Sequence, residues 1–112
     1  MFDKIEFRNA MGHFPSGVTV VTVSDGQGSV GGLTANAFSS LSLDPPLILI
    51  CVDTSSQARQ YIESEKAFTV QFLADTQEKT AMSFAQHGPG KALGVEWELS
   101  ERGTPRLTEY IV

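Results

Sequence analysis

The sequence predicts a mainly β domain with flanking helices, and three observations carry that expectation. Runs rich in Val, Thr and Ile, or strictly alternating, recur at residues 18–24, 29–34, 47–52 and 67–73. The first two are joined by Asp25-Gly-Gln-Gly28, a good hairpin connection because glycine tolerates positive φ. Apolar residues at helical spacing mark three further segments placed before, between and after these strands. At 112 residues the chain reads as one domain spanning residues 1–112, large enough to bury a core.

The first helix is expected over residues 3–13, capped by Asp3 with Glu6 as its capping-box partner. Phe7, Ala10, Met11 and Phe14 fall at helical spacing, and Pro15 ends the pattern. After the hairpin, Asp44-Pro-Pro46 interrupts the chain before residues 47–52, an unbroken apolar run typical of a buried central strand. A second helix follows, with Thr54 as candidate N-cap, Gln57 at the capping-box position and Ile62 facing inward. In residues 67–73, Phe68, Val70 and Phe72 alternate with Thr69 and Gln71. A third helix begins near Asp75 or Thr76, carries Ala81, Phe84 and Ala85 as an inward stripe, and stops at Gly88-Pro-Gly90. Residues 107–112 look like the start of another strand. Four earlier strands alone would leave open sheet edges.

A net charge of −5 argues against nucleic acid as a partner. The apolar run at 47–52 is far shorter than the roughly 20 residues that span a bilayer, so no membrane association is expected. Cys51 is the only cysteine, which fits a reducing cytoplasm, and inside an apolar run it reads as a small hydrophobe. His13 and His87 lack Cys or acidic neighbours at ligand spacing, so no metal is expected. Gly31-Gly32 does not make a dinucleotide fingerprint. Trp97 in Val-Glu-Trp-Glu-Leu is expected to pack an apolar face.

The most informative segment is Gly32-Leu-Thr-Ala-Asn-Ala-Phe-Ser-Ser-Leu-Ser-Leu-Asp-Pro-Pro46. It puts small and hydroxyl residues where a core strand would carry large apolar ones, and a common reason is a ligand lying against the backbone. Thr34, Asn36, Ser39, Ser40 and Ser42 offer donors and acceptors around a flat, polar-edged molecule. Ordinary turn chemistry is the plainer reading. Residues 54–57, Thr-Ser-Ser-Gln, open the second helix, where free N–H groups and the helix dipole attract phosphate; Arg59 could add charge. Plain helix capping explains the same residues equally well.

Phe7-Arg-Asn-Ala-Met-Gly-His-Phe-Pro-Ser-Gly-Val18, the Gly32–Phe38 and Ser42–Pro46 stretches, Phe68-Thr-Val-Gln-Phe-Leu73, Ser83-Phe-Ala85, Val95-Glu-Trp97 and Gly103-Thr-Pro-Arg-Leu107 together resemble the flavin reductase family. These are the small reductases of two-component flavin monooxygenases. The resemblance covers nearly the whole chain and implies an FMN-binding split β-barrel of Greek-key-like connectivity. It implies a site in which Thr34, Ala35, Asn36 and Ala37, with Ser40 and Ser42, hold the ring edge and ribityl chain. Ser16 stands where relatives often carry Thr beside the ring, and Gly17 would serve a turn. Ser55, Ser56 and Gln57 would take the phosphate, and Phe84 and Ala85 would approach from a helix, although spacing alone gives Phe84 to the core.

By the same resemblance the cofactors are FMN or FAD, with NADH or NADPH as co-substrate, and the partners are a second copy of the chain and a flavin-dependent monooxygenase that receives reduced flavin. Relatives continue through further strands and a Gly-Asp-His motif that nothing here matches, so the expectation is the N-terminal two thirds or so of the family domain. Either the chain is a fragment or a partner supplies the missing sheet. No catalytic triad or paired carboxylates are evident, as hydride transfer between two cofactors requires none. Two rival readings remain: a flavin-binding electron carrier without nicotinamide turnover, and a non-catalytic remnant of the fold.

Overall fold

The computed structural model describes residues 3–86, 95–110 and 112. In chain order the elements are α1 (Lys4–Met11), β1 (Thr19–Ser24), β2 (Val30–Ala35), β3 (Phe38–Ser42), β4 (Leu47–Ile50), α2 (Gln57–Glu65), β5 (Thr69–Phe72), α3 (Glu78–Ala85), β6 (Trp97–Leu99) and β7 (Pro105–Leu107). All strand pairs are antiparallel, in three sheets ordered β2-β1-β5, β3-β4 and β6-β7. Among the described residues these sheets do not close into a barrel. Among the described residues, seven strands replace the four read before residue 107. The extra ones are β3, whose hydroxyls hide its strand character, and two three-residue pieces too short to show a period.

Local signals fold as their chemistry dictates. The Asp3 carboxylate accepts from the Ile5 and Glu6 N–H groups and caps α1. Asp25 Oδ1 accepts from Gln27 and Ser29, while Gly26 and Gly28 take positive φ, which closes the β1–β2 hairpin. The second helix starts later than expected: Ser56, not Thr54, is its N-cap, and Gln57 is its first residue. The reason is Asp53, whose Oδ1 accepts from both the N–H and hydroxyl of Ser55 at 2.8 Å and holds residues 53–56 in a turn. Gly17 needs no special turn conformation; a Cβ there would meet nothing within 4 Å. The Gly88-Pro-Gly90 stop and His87 lie outside the described residues.

The core is organised around β1, whose Val20, Val21, Thr22 and Val23 are fully buried between β2 and β5. Register assigns the two faces. Val20, Thr22, Gly32, Thr34 and Gln71 look toward α3 and β7; there Val20 and Val30 cluster with Phe84 and Leu107, and Trp97 packs against them as its apolar character predicted. Gly31 lies opposite Val23 on the other face, against the Tyr61 ring of α2. The Gly31-Gly32 pair thus lets a helix approach each face.

The buried side of β5 is its polar side. Gln71 Nε2 donates to the Val20 carbonyl at 2.6 Å, and Gln71 Oε1 accepts from the Leu107 N–H at 2.7 Å. The Thr22 hydroxyl donates to the Pro105 carbonyl at 2.6 Å, with Gln71 Oε1 3.2 Å away. These bonds fasten the β6–β7 ribbon to the main sheet. Across that ribbon, Arg106 donates twice to Glu98 at 3.0 and 2.8 Å, which raises the arginine's pKa above its ordinary value.

Three expectations about burial are overturned. Residues 47–52 do not form a buried central strand: β4 pairs only with β3, and Leu47, Ile48 and Leu49 are 47%, 46% and 48% exposed. Cys51, just past the end of β4, is exposed rather than a core hydrophobe, like Leu47, Ile48 and Leu49 before it. The expected strand at 107–112 lies at Pro105–Leu107 instead, with Val112 accepting from the Phe72 N–H at 2.8 Å. The apolar stripe of α1 exists but touches no core, as that helix has no buried residue. Total accessible surface is 8329 Å², against about 6,000 Å² expected for a compact monomer of this mass.

Two stability tests follow from this packing. Gln71→Leu strands the Leu107 N–H inside the core, and a loss of about 1–3 kcal/mol in urea denaturation is expected. Gly32→Ala should destabilise more than Gly31→Ala, read as denaturation midpoints. The Gly32 methyl would be driven into the Val21 carbonyl, whereas the Gly31 methyl meets the Tyr61 ring at 2.5 Å, a side chain that can turn.

Candidate functional site

At the end of the main sheet away from the β1–β2 turn, Thr19, Ala35 and Phe72 stand side by side on three strands. The chain enters here through residues 15–18, leaves β2 at Asn36 and leaves β5 at Leu73, whose N–H donates to the Val18 carbonyl at 3.0 Å. These segments and Phe38 enclose a cleft of about 310 Å³. Its lining is mostly apolar, from Val18, Leu73, Phe38 and Phe72, with Ser16 and Asn36 as polar groups. The Phe38 and Phe72 rings meet edge to face, centroids 5.3 Å apart at 70°. Thr19 also lines the cleft, but its hydroxyl donates to the Ala35 carbonyl at 2.6 Å. No lining residue carries an acid or a base.

Of the residues singled out in the sequence, the cleft brings together Ser16 and Asn36. Ala35 is buried beside it, and Ala37 accepts a hydrogen bond from the Cys51 N–H at 3.1 Å. That bond leaves only Val52 between the Ala37 neighbourhood and the turn at residues 53–56 that carries Ser55 and Ser56. Helix α2 points the same way. Its Tyr61 lies on Gly31 and its Glu65 carboxylate is 3.5 Å from where a Gly26 Cβ would stand. Its N-terminus at Gln57 therefore faces the sheet end at which Ala35 and Asn36 leave β2. Arg59 is turned along its own helix, donating to Glu63 at 3.0 Å and to the Thr54 carbonyl at 3.4 Å.

Other residues go elsewhere. The Thr34 hydroxyl donates to the Ala81 carbonyl and ties β2 to α3. Phe84 is 1% exposed in the core, which agrees with its spacing and leaves it no free surface for a ligand; Ala85 is exposed at the end of α3. Ser40 and Ser42 belong to the β3–β4 ribbon, on either side of a register shift, and do not line the cleft. Sequence reasoning missed Phe38, Phe72, Val18, Thr19 and Leu73 as lining. The clean alternation of residues 67–73 was the available signal for Phe72, but it assigns sides and not occupants. Among the described residues, no three His, Cys, Asp or Glu side chains converge, and no helix is long and apolar enough to cross a membrane.

A mainly antiparallel β chain with an apolar cleft at one sheet end has the general form of a small-molecule pocket. More particularly, the chain belongs to the flavin reductase family: the sequence profile of the flavin reductase like domain matches residues 11–112. A probable flavin reductase from Rhizobium meliloti (strain 1021) is 41% identical over 109 residues, 97% of this chain and 35% of the relative. The crystal structure of nitrilotriacetate monooxygenase component B from Mycobacterium thermoresistibile superposes with a TM-score of 0.89 at 33% identity, covering 96% of this chain and 60% of that one. The NADH:FAD oxidoreductase of Streptomyces globisporus C-1027, in complex with NAD and FAD fragments, gives 0.83 at 40% identity, covering 96% and 65%. The chain spans between 35% and 61% of the length of the curated relatives it matches.

A flavin needs a flat apolar surface for its ring and hydrogen-bonding groups along one edge. The cleft supplies both, at a volume near the lower end of the roughly 300–1,000 Å³ typical of ligand pockets. The residues present therefore fit the group. Because the Thr34 hydroxyl is committed to Ala81, Thr34→Val should lower stability by about 1 kcal/mol in thermal unfolding. Flavin affinity in that variant should stay within about twofold by titration.

Proposed function

We propose that the chain serves as an NAD(P)H-dependent flavin reductase, taking hydride from NADH or NADPH onto FMN or FAD and supplying reduced flavin to a flavin-dependent monooxygenase. The observation that carries this reading is the cleft itself. Ser16 from before β1 and Asn36 from after β2 meet on an apolar aromatic wall in which nothing titrates. Such a site suits two stacked rings and offers nothing to proton-transfer chemistry. When bound, the flavin accepts the hydride that the nicotinamide gives up.

The chain's own part is binding, orientation and exclusion of water. Asn36 and Ser16 hydrogen-bond the polar ring edge, and small Ala35 and Ala37 keep the backbone within reach of it. Thr34 acts through its backbone and through the bond that fixes β2 on α3. Ser55, Ser56 and Gln57 receive the phosphate where α2 begins; Ser40, Ser42, Phe84 and Ala85 stand outside the cleft lining and take no part in this reading. The FAD and NAD fragments bound in the Streptomyces neighbour support this cofactor pair.

We read the domain, residues 1–112, as part of a split β-barrel acting in the cytoplasm as a homodimer. Support for the dimer comes from the exposed apolar residues of α1 and of the β3–β4 ribbon. Sedimentation should give twice the chain mass, and a monomer at micromolar concentration would reject the dimer.

The deciding experiment follows nicotinamide absorbance while flavin is titrated against the protein with NADH present. Flavin-dependent NADH loss is the expected result; flavin binding without turnover would favour the electron carrier. Asn36→Asp places a negative charge beside an electron-rich ring, and its flavin Kd should rise about tenfold. An unchanged titration would remove Asn36 from the site.

A further inference from the structure

Both threonines of β1 are buried, and they spend their hydroxyls on different parts of the fold. Thr22 holds the β6–β7 ribbon through the Pro105 carbonyl, whereas Thr19 donates to the Ala35 carbonyl at 2.6 Å. The Thr19–Ala35 pair is the last rung of the β1–β2 ladder. Beyond it the partners part: Val18 goes on bonding to Leu73, while Asn36 leaves β2. Asn36 is exposed and lines the cleft, and its side chain hydrogen-bonds none of the described residues. Planarity joins the Ala35 carbonyl, the Asn36 N–H and the Asn36 Cα in one rigid unit. A hydroxyl that fixes that oxygen therefore fixes the plane from which the Asn36 side chain departs.

We propose that Thr19 is a positioning residue for the bound flavin: its hydroxyl, through the Ala35 carbonyl, holds Asn36 in the orientation that binds. This rests on the flavin reading above and deepens it. Thr19 stands in the cleft wall, yet its one donor proton is spent on the backbone and is not offered to a ligand. Its part is to order a neighbour's polar groups before the ligand arrives, which lowers the entropic cost of binding. Backbone pairing alone leaves the 35–36 peptide at the end of a ladder, with no next rung to brace it. Thr34 shows the contrasting case of a hydroxyl that only ties elements together. It also donates to a backbone carbonyl, that of Ala81, but neither residue lines the cleft. The two threonines make the same kind of bond, and only the Thr19 bond fixes the peptide that carries Asn36.

The test titrates FMN and FAD against the wild-type protein, Thr19→Val, Thr19→Ser, Asn36→Ala and the double variant Thr19→Val with Asn36→Ala. Valine keeps the shape of threonine without its donor, and serine keeps the donor. Thr19→Val should raise the flavin Kd about fivefold, Asn36→Ala about tenfold, and Thr19→Ser should stay within about twofold of wild type. Because Thr19 acts through Asn36, the double variant should bind only about tenfold more weakly, not the roughly fiftyfold of independent sites. Circular dichroism checks folding, and should Thr19→Val fail to fold, Thr19→Ala takes its place in both the single and the double variant. Wild-type affinity in Thr19→Val, an equal loss in Thr19→Ser, or losses that multiply in the double variant each overturn the positioning role and leave the reductase reading standing. Wild-type affinity in Asn36→Ala overturns it as well, by removing the residue through which Thr19 acts. A wild-type protein that binds neither flavin overturns the flavin reading and this role with it.

Discussion

The buried amide of Gln71 joins parts of the fold that backbone pairing leaves apart. Its nitrogen is fixed by the Val20 carbonyl and its oxygen takes the Leu107 N–H, while Thr22 beside it holds Pro105. Backbone ladders connect β1 to β2 and β5, but β7 belongs to a different sheet. Without the side-chain bonds, Leu107 would lose the restraint that sets it against Val20, Val30 and Phe84. The arrangement is asymmetric in energy. A satisfied buried amide adds modest stability, whereas the same amide deprived of partners is expensive, so it specifies one relation of ribbon to sheet.

The same rigidity reaches the cleft through β1. Thr19, the first residue of that strand, is locked by its ladder on both sides and by its hydroxyl on the Ala35 carbonyl. The three segments that form the cleft are the ends of strands paired to it or the chain leading into it. Their loops therefore start from fixed points, which is how a rigid sheet end positions binding groups held on irregular backbone. The opposite holds for α1 and for β3–β4. Their apolar residues are largely exposed, so core packing among the described residues does little to fix their placement.

What the sequence made legible is local or strongly patterned. Asp3 and Asp25 cap and turn the backbone within a few residues of themselves, and both behave as their chemistry required. Strands β1, β2 and β5 were visible in Val-rich or alternating runs. The failures are nonlocal. Leu47, Ile48 and Leu49 read as core because apolarity reports a preference for burial, while the partner that would satisfy it is set by topology. Gln71 was on the apparent polar side of β5, yet its partners come from residues 20 and 107, too far away in sequence to be inferred. Asp53 displaced the expected Thr54 cap by two residues through an equally local competitor. In the site, Ser16 and Asn36 emerged as polar motifs; the Phe wall did not, since an aromatic at a strand position looks like core.

That blindness has a physical basis that bears on function. A hydride-transfer site needs surfaces that are flat, apolar and held at fixed separation, because the reacting atoms belong to the two ligands. Residues that build such surfaces are chemically the same as core residues and differ only in being left uncovered. Phe84 and Phe72 make the contrast within one chain. Phe84 is sealed by Val20, Val30 and Leu107, while Phe72, one strand end away from the packed region, keeps over a third of its surface free. Phe38 meets the Phe72 ring edge to face, centroids 5.3 Å apart. At this sheet end the neighbours that leave Phe72 exposed are the small Thr19 and Ala35, so the space beside the ring follows from side-chain size and not from any charge.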